Sequence, residues 1–318
     1  MRAHPPRRRF LSALLLALPL CVPAEARTED ASDVRILLED GRTEKAARLA
    51  EDLLEQAGPA AAPELRYLRF KAYVLDLSPG HEDLFRKLTK GEDEPMEVYE
   101  THLDELEEAV RSEGAAALGV LVDGLAAGDS LDRLLILGIL RDMAPSDLDW
   151  LAPAGTAGAS PVAAARGATL GALEDCALRE DETGGKPPYA LEDQREREPF
   201  VETLYAADSG LEFLAVVDAD AWAEAAAFAL ECRTLAGEVL ADRARLREYG
   251  AKLRGPLRER LEASGRPAAR LEAVEWLGRL GTCDDLAPLR SAAGREEALA
   301  EAVAKSVDRI VRRQGCPD

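Results

Sequence analysis

Apolar residues along this chain recur at spacings of three and four, and no run sustains the alternation that a half-buried strand requires. The clearest stretch is Arg266 to Arg313. Pro267 suits a first helical turn, where its missing N–H is no loss. Ala273, Val274, Leu277 and Leu280 share one face with Trp276 at its border, and Gly281 supplies a stop. Asp284 or Asp285 can cap a short second helix carrying Leu286 and Leu289, which Gly294 is expected to break. Leu299, Ala302, Val303, Ser306 and Ile310 mark a third. None of these helices buries its stripe alone, so each must stack on a neighbour.

The same period extends upstream. Residues 33–77 read as helices around Gly58-Pro59, with a break at Gly41. Glu82 to Leu88 reads as a short helix. Met96, Tyr99, Leu103, Leu106 and Val110 form a narrow seam, flanked so heavily that residues 91–113 hold ten Asp or Glu against one Arg. That face reads as a solvated helix surface, or more sharply as a docking helix for a basic partner. Residues 115–127, 130–143 and 161–178 are apolar enough for interior helices, the second striped by Leu131, Leu134, Leu135, Gly138 and Ile139. Residues 179–199 combine Gly184-Gly185, Pro187-Pro188 and mixed charge, and are expected to be an exposed charged loop. Helices resume at Phe200–Ala207 and Ala221–Leu230.

Ala269-Arg270, Ala273, Trp276-Leu277-Gly278, Gly281, Asp284, Leu286, Pro288 and Leu289 together resemble a HEAT repeat of the bacterial, lyase-associated type. Gly41, Ala46, Ala50 and Pro59 resemble the spacing of one tetratricopeptide repeat, though its usual first-helix aromatic and Gly are missing. The resemblance implies an all-α chain built as an α-solenoid of stacked helix pairs. Its expected divisions are a signal peptide over 1–26, tetratricopeptide-like hairpins over 27–90 and HEAT-like repeats over 91–318. It carries no catalytic residue across, but relatives of such arrays include bilin lyases and accessory factors. In a solenoid the first and third helices of the terminal unit run parallel. Cys283 and Cys316, which follow them, are therefore expected to pair. Cys176 and Cys232 each follow an Ala-Leu-Glu sequence within a helix and are the second candidate pair.

Composition sharpens this. Ala and Leu abound while aromatics are 5%, which favours helix over sheet. Arg7-Arg8-Arg9, the apolar run Phe10–Leu20 and Ala24-Glu25-Ala26 form the charged, apolar and cleavage parts of a signal peptide. The expected product is periplasmic or secreted, with no transmembrane span. Export through the twin-arginine route and lipidation at Cys21 are the alternatives, the second disfavoured by Leu20. Cleavage would remove four Arg and one Glu, taking the net charge from −20 to −23. That balance argues against nonspecific nucleic-acid binding. Four cysteines in an oxidising compartment permit two disulfides.

Candidate chemistry is sparse. His81 and His102 lie near carboxylates without any HExxH or Cys–His set, so no metal or cofactor is expected. Asp218 and Asp220 lack the Gly and Glu of a calcium loop and read as a helix cap before Trp222. Trp150, Trp222 and Trp276 read as core. Against the acidic background, residues 242–270 hold nine Arg or Lys and four Asp or Glu. Arg243, Arg247, Arg254 and Arg258 can share one face if a helix runs through Gly250 and Gly255-Pro256, although Pro256 is expected to start a new one. The stripe serves either the acidic helix around Glu97 to Glu108 or the carboxylates of an acidic partner, and the second use is favoured. The functional expectation is an exported, non-catalytic scaffold for a protein partner. An enzyme or maturation factor and a small-ligand carrier are the alternatives.

Overall fold

The computed structural model describes residues 30–58, 61–77, 93–113, 115–144, 160–239 and 243–316. The expected signal peptide, the helix at 82–88, His81, Trp150 and the side chain of His102 lie outside them. The described residues form fourteen α-helices and no strand.

The first three helices of the described residues are α1 (Ala31–Glu39), α2 (Thr43–Leu54) and α3 (Ala62–Leu77). Asp30 and Asp33 cap α1 reciprocally, each side chain accepting the other's backbone N–H. α4 (Asp93–Glu113) lays Leu106 and Val110 of its seam into the core. α5 (Ala115–Ala127) and α6 (Ser130–Met143) fall at the limits their composition predicts. α6 is buried well beyond one stripe: Ile136, Leu137 and Leu140 are as enclosed as Leu131 and Leu134. α7 (Pro161–Glu182) and α8 (Gln194–Val217) are long and pack on each other. α9 (Ala219–Phe228) starts at Asp218, whose carboxylate accepts from the N–H groups of Asp220 and Ala221, as the capping reading requires. Trp222 is wholly buried in it, beside Tyr249, and Trp276 is buried likewise.

Residues 179–199 are not one exposed loop. α7 continues to Glu182 and α8 begins at Gln194, leaving a short connection with a 3-10 turn at Pro188–Ala190. Glu180, Pro188 and Leu191 are buried. The connection is closed on itself: the Thr183 hydroxyl reaches the Arg179 and Lys186 carbonyls, and the Gly185 N–H donates to Glu180 O at 2.6 Å.

α10 (Arg233–Val239) follows a 3-10 turn at Ala229–Glu231. α11 (Arg243–Ala263) then runs unbroken through Gly250, Gly255 and Pro256. The expected new start at Pro256 is thus corrected. An interior proline costs about 3 kcal/mol. Leu253, Leu257 and Leu261 are buried on one face of the same helix. At about 1.5–3 kcal/mol each, their burial outweighs that cost.

The terminal unit is α12 (Pro267–Leu280), α13 (Leu286–Arg295) and α14 (Ala300–Gln314). Gly294 lies within α13 rather than ending it, and Glu296 caps the helix. Gly281 ends α12 where a Cβ would lie 2.3 Å from the Leu277 carbonyl oxygen, so only glycine fits. Every extensive helix–helix contact joins a helix to the next or the next but one. No helix among the described residues is long and apolar enough to cross a membrane.

Candidate functional site

α11 brings Arg243, Arg247, Arg254 and Arg258 onto a single helix, but it divides them into two pairs. Arg254 and Arg258 turn inward at the 3-10 turn Cys283–Asp285. Arg258 donates to Oδ1 of Asp285, a carboxylate with no exposure at all. Arg254 donates to the Thr282 hydroxyl at 2.8 Å and lies 4.0 Å from Oδ2 of Asp285. Oδ2 also accepts the Thr282 N–H at 2.6 Å, completing a capping box. A buried carboxylate is tolerable only when paired and hydrogen-bonded, and Asp285 is both. Its hydrogen bond raises the already high pKa of Arg258.

Arg243 and Arg247 remain exposed on the first turns of α11 and make no ion pair among the described residues. The other cations of the segment are occupied. Lys252 bonds Asp220 on α9 at 2.6 Å. Arg260 and Arg266 flank the buried Glu231 at 3.6 and 3.8 Å. Arg266 also donates to the carbonyls of Glu231 and Ala177 and to Asp181, tying the start of α12 to the end of α7. Arg270 meets Glu296 at 2.9 Å. Among the described residues of the acidic helix α4 none receives these side chains, and the inward pair Arg254 and Arg258 has Asp285 and Thr282 as its acceptors instead.

These contacts belong to a wider series of ties between helices. Arg133 of α6 bonds Asp175 of α7 at 2.8 Å, and Arg166 of α7 bonds Glu224 of α9. Glu180, buried at the end of α7, accepts from the N–H groups of Arg233 and Thr234 at 2.9 and 2.8 Å and so satisfies the start of α10. Arg313 of α14 donates to the carbonyls of Gly278, Arg279 and Gly281, the unpaired end of α12. Arginine suits both tasks because its planar fork serves several acceptors at once.

Both expected cysteine pairs are at bonding distance. The Cα atoms of Cys283 and Cys316 are 5.6 Å apart, and those of Cys176 and Cys232 are 5.7 Å apart. The first staples the last helix to the turn that holds Asp285. The second joins α7 to the turn before α10.

Sequence reasoning missed Asp285, Glu180 and Glu231 as the acceptors around which the C-terminal half is arranged. Thr282-x-x-Asp285 is a capping-box spacing and could have exposed the first. The partners of Glu180 and Glu231 lie tens of residues away, and no local pattern announces them. No protein-family profile, curated protein or solved structure matches the chain.

Proposed function

We propose that this chain is an exported, non-catalytic scaffold of the HEAT-like solenoid type, and that it binds an acidic protein partner through a surface containing Arg243 and Arg247. The observation that carries the reading is the division of α11: in a segment whose other cations are engaged, these two stay exposed and make no ion pair among the described residues. Arg243 also stands in the first turn of a helix that carries no acidic residue in that turn, where the macrodipole disfavours positive charge. Their placement contributes nothing evident to the fold, whereas an arriving carboxylate would relieve it. The extensive helix–helix contacts join near neighbours in sequence, and the helices of the terminal unit pack on one another, which supports the solenoid form. Two cysteine pairs suit an oxidising compartment, in keeping with cleavage after Ala26.

The test is affinity capture of the mature protein from the cell envelope with crosslinking, repeated with Arg243→Glu/Arg247→Glu. The double variant should fold normally and lose the captured protein. Capture by the unaltered chain should weaken as salt rises, because exposed charges are screened beyond about 10 Å at 0.1 M. Undiminished capture by the double variant would overturn the reading. Intact mass of the exported form should correspond to a chain beginning at Arg27; an acylated Cys21 at the start would overturn the export route.

A further inference from the structure

A second surface lies in the N-terminal half, between α3 and α4. A cleft of about 910 Å³ lies beside them. Leu54, Ala57, Ala62 and Ala109 give it apolar lining, and Asp104 and Glu108 stand on its α4 wall. The α4 contribution follows from helical spacing: residues 101, 104, 105, 108, 109 and 112 fall on one face, while Leu106 and Val110 point to the core. The cations of the lining leave Asp104 and Glu108 without an ion pair among the described residues. Arg69 crosses the cleft to Glu105, and Arg66 has a partner of its own. The carboxylates of Asp104 and Glu108 are exposed, one turn apart, and hold no ion pair among the described residues.

We infer that this cleft is a docking groove for a basic amphipathic segment of a partner protein. Charge complementarity selects the occupant. An apolar stripe would cover the half-buried Leu54 and Ala57, and lysines or arginines along its edge would meet Asp104 and Glu108. A chain of net charge −20 would draw such a segment from a distance. Like charges at i and i+4 destabilise a helix, so this pair gains from an incoming cation. The groove is independent of α11 and of opposite sign. Together they would give the scaffold two docking faces for two differently charged partners, and either can fail without the other.

The probe is a fluorescent helical peptide with leucine on one face and lysine on the other, and the readout is anisotropy at physiological ionic strength. A matched peptide with glutamate for lysine is the control. The lysine peptide should bind saturably and the glutamate peptide should not. Asp104→Lys/Glu108→Lys should weaken binding about tenfold, equivalent to about 1.4 kcal/mol. Ala57→Trp, which fills the cleft outside any helix, should weaken it comparably. If the charge-reversed chain misfolds by circular dichroism, Asp104→Asn/Glu108→Gln replaces it. Binding unchanged in the charge variants overturns the proposal. So does binding that responds to charge but not to Ala57→Trp, which marks a diffuse attraction, and so does equal binding of the glutamate peptide.

Discussion

Arg258 of α11 donates its Nε–H to the carboxylate of Asp285, a residue 27 positions later whose side chain is sealed from solvent. Half of the arginine stripe thus holds the terminal unit in place, while Arg243 and Arg247 stay exposed and make no ion pair among the described residues.

Removing Arg258 should therefore be a stability defect. Arg258→Ala leaves Asp285 buried with Arg254 and Thr282 as its remaining partners, a loss of about 2–3 kcal/mol. Urea unfolding should show this as a lowered midpoint, with no comparable change in Arg243→Glu/Arg247→Glu. Combined with Asp285→Ala, the effects should fall short of additive, since both act on one pair.

The cysteine pairs should be structural. Their loops close over sequence separations of 33 and 56 residues, and chain entropy assigns each about 4 kcal/mol. Proteolysis without reductant should release peptides linked Cys283–Cys316 and Cys176–Cys232. Reduction, or Cys283→Ser/Cys316→Ser, should lower the unfolding midpoint. Crossed linkages would contradict the geometry.

The Cys283–Cys316 pairing was legible before the structure because it follows from where helices end, and the 3.6-residue period marks those ends, whereas Cys176 and Cys232 were matched by the Ala-Leu-Glu sequence before each. The limits of α5, α6 and α12 were legible for the same reason. The passage of α11 through Pro256 was not, because the winning effect is tertiary: three leucines find a buried face that no local pattern reveals. The connection at 179–199 was misread in the same way, since its anchors, Glu180 and Leu191, are held by distant elements. The arginine stripe was legible as a stripe. Its division was not, because Asp285 lies beyond the helix that carries it.

Alkaline stability should depend on Tyr67. Burial, and then the Asp132 carboxylate that accepts its hydroxyl at 2.5 Å, push its pKa well above the ordinary value. A raised pKa in the folded state means that the unfolded chain loses this proton first. Stability is thus unaffected by the group below about pH 10 and falls above it. Tyr67→Phe should abolish that decline. At neutral pH it should cost about 1.5–3 kcal/mol, the worth of a hydrogen bond to a charged acceptor. Denaturant midpoints of both chains across this range measure the difference.

Glu272 should respond in the carboxylate range. Burial, and then the neighbouring Glu275, raise its pKa, opposed by Arg279. The folded state therefore holds this proton more tightly, and stability is lost as pH rises through the carboxylate range. Glu272→Gln removes the charge and should stabilise the protein at neutral pH. The gain should vanish below pH about 4, where the glutamate is itself protonated. An equal gain at both pH values would assign the effect to packing instead.

Glycine within helices offers two opposite outcomes. Replacing an interior helical glycine with alanine gains about 0.5–1 kcal/mol where there is room. At Gly167 of α7 nothing lies within 4 Å of the added Cβ, so Gly167→Ala should raise the unfolding midpoint. At Gly278 of α12 the Cβ would lie 2.5 Å from Oγ of Ser306, 2.7 Å from its Cβ and 3.0 Å from its Cα. Rotating the serine side chain relieves only the first, because the other two atoms move with α14. The helices must separate, and that costs more than the propensity gain, so Gly278→Ala should destabilise by about 1–3 kcal/mol. Ser306→Gly alone should also destabilise, through helix propensity. Combined, Gly278→Ala/Ser306→Gly restores the space and should be more stable than the sum of the single changes. A strictly additive double variant would mean that α12 and α14 do not meet at this pair.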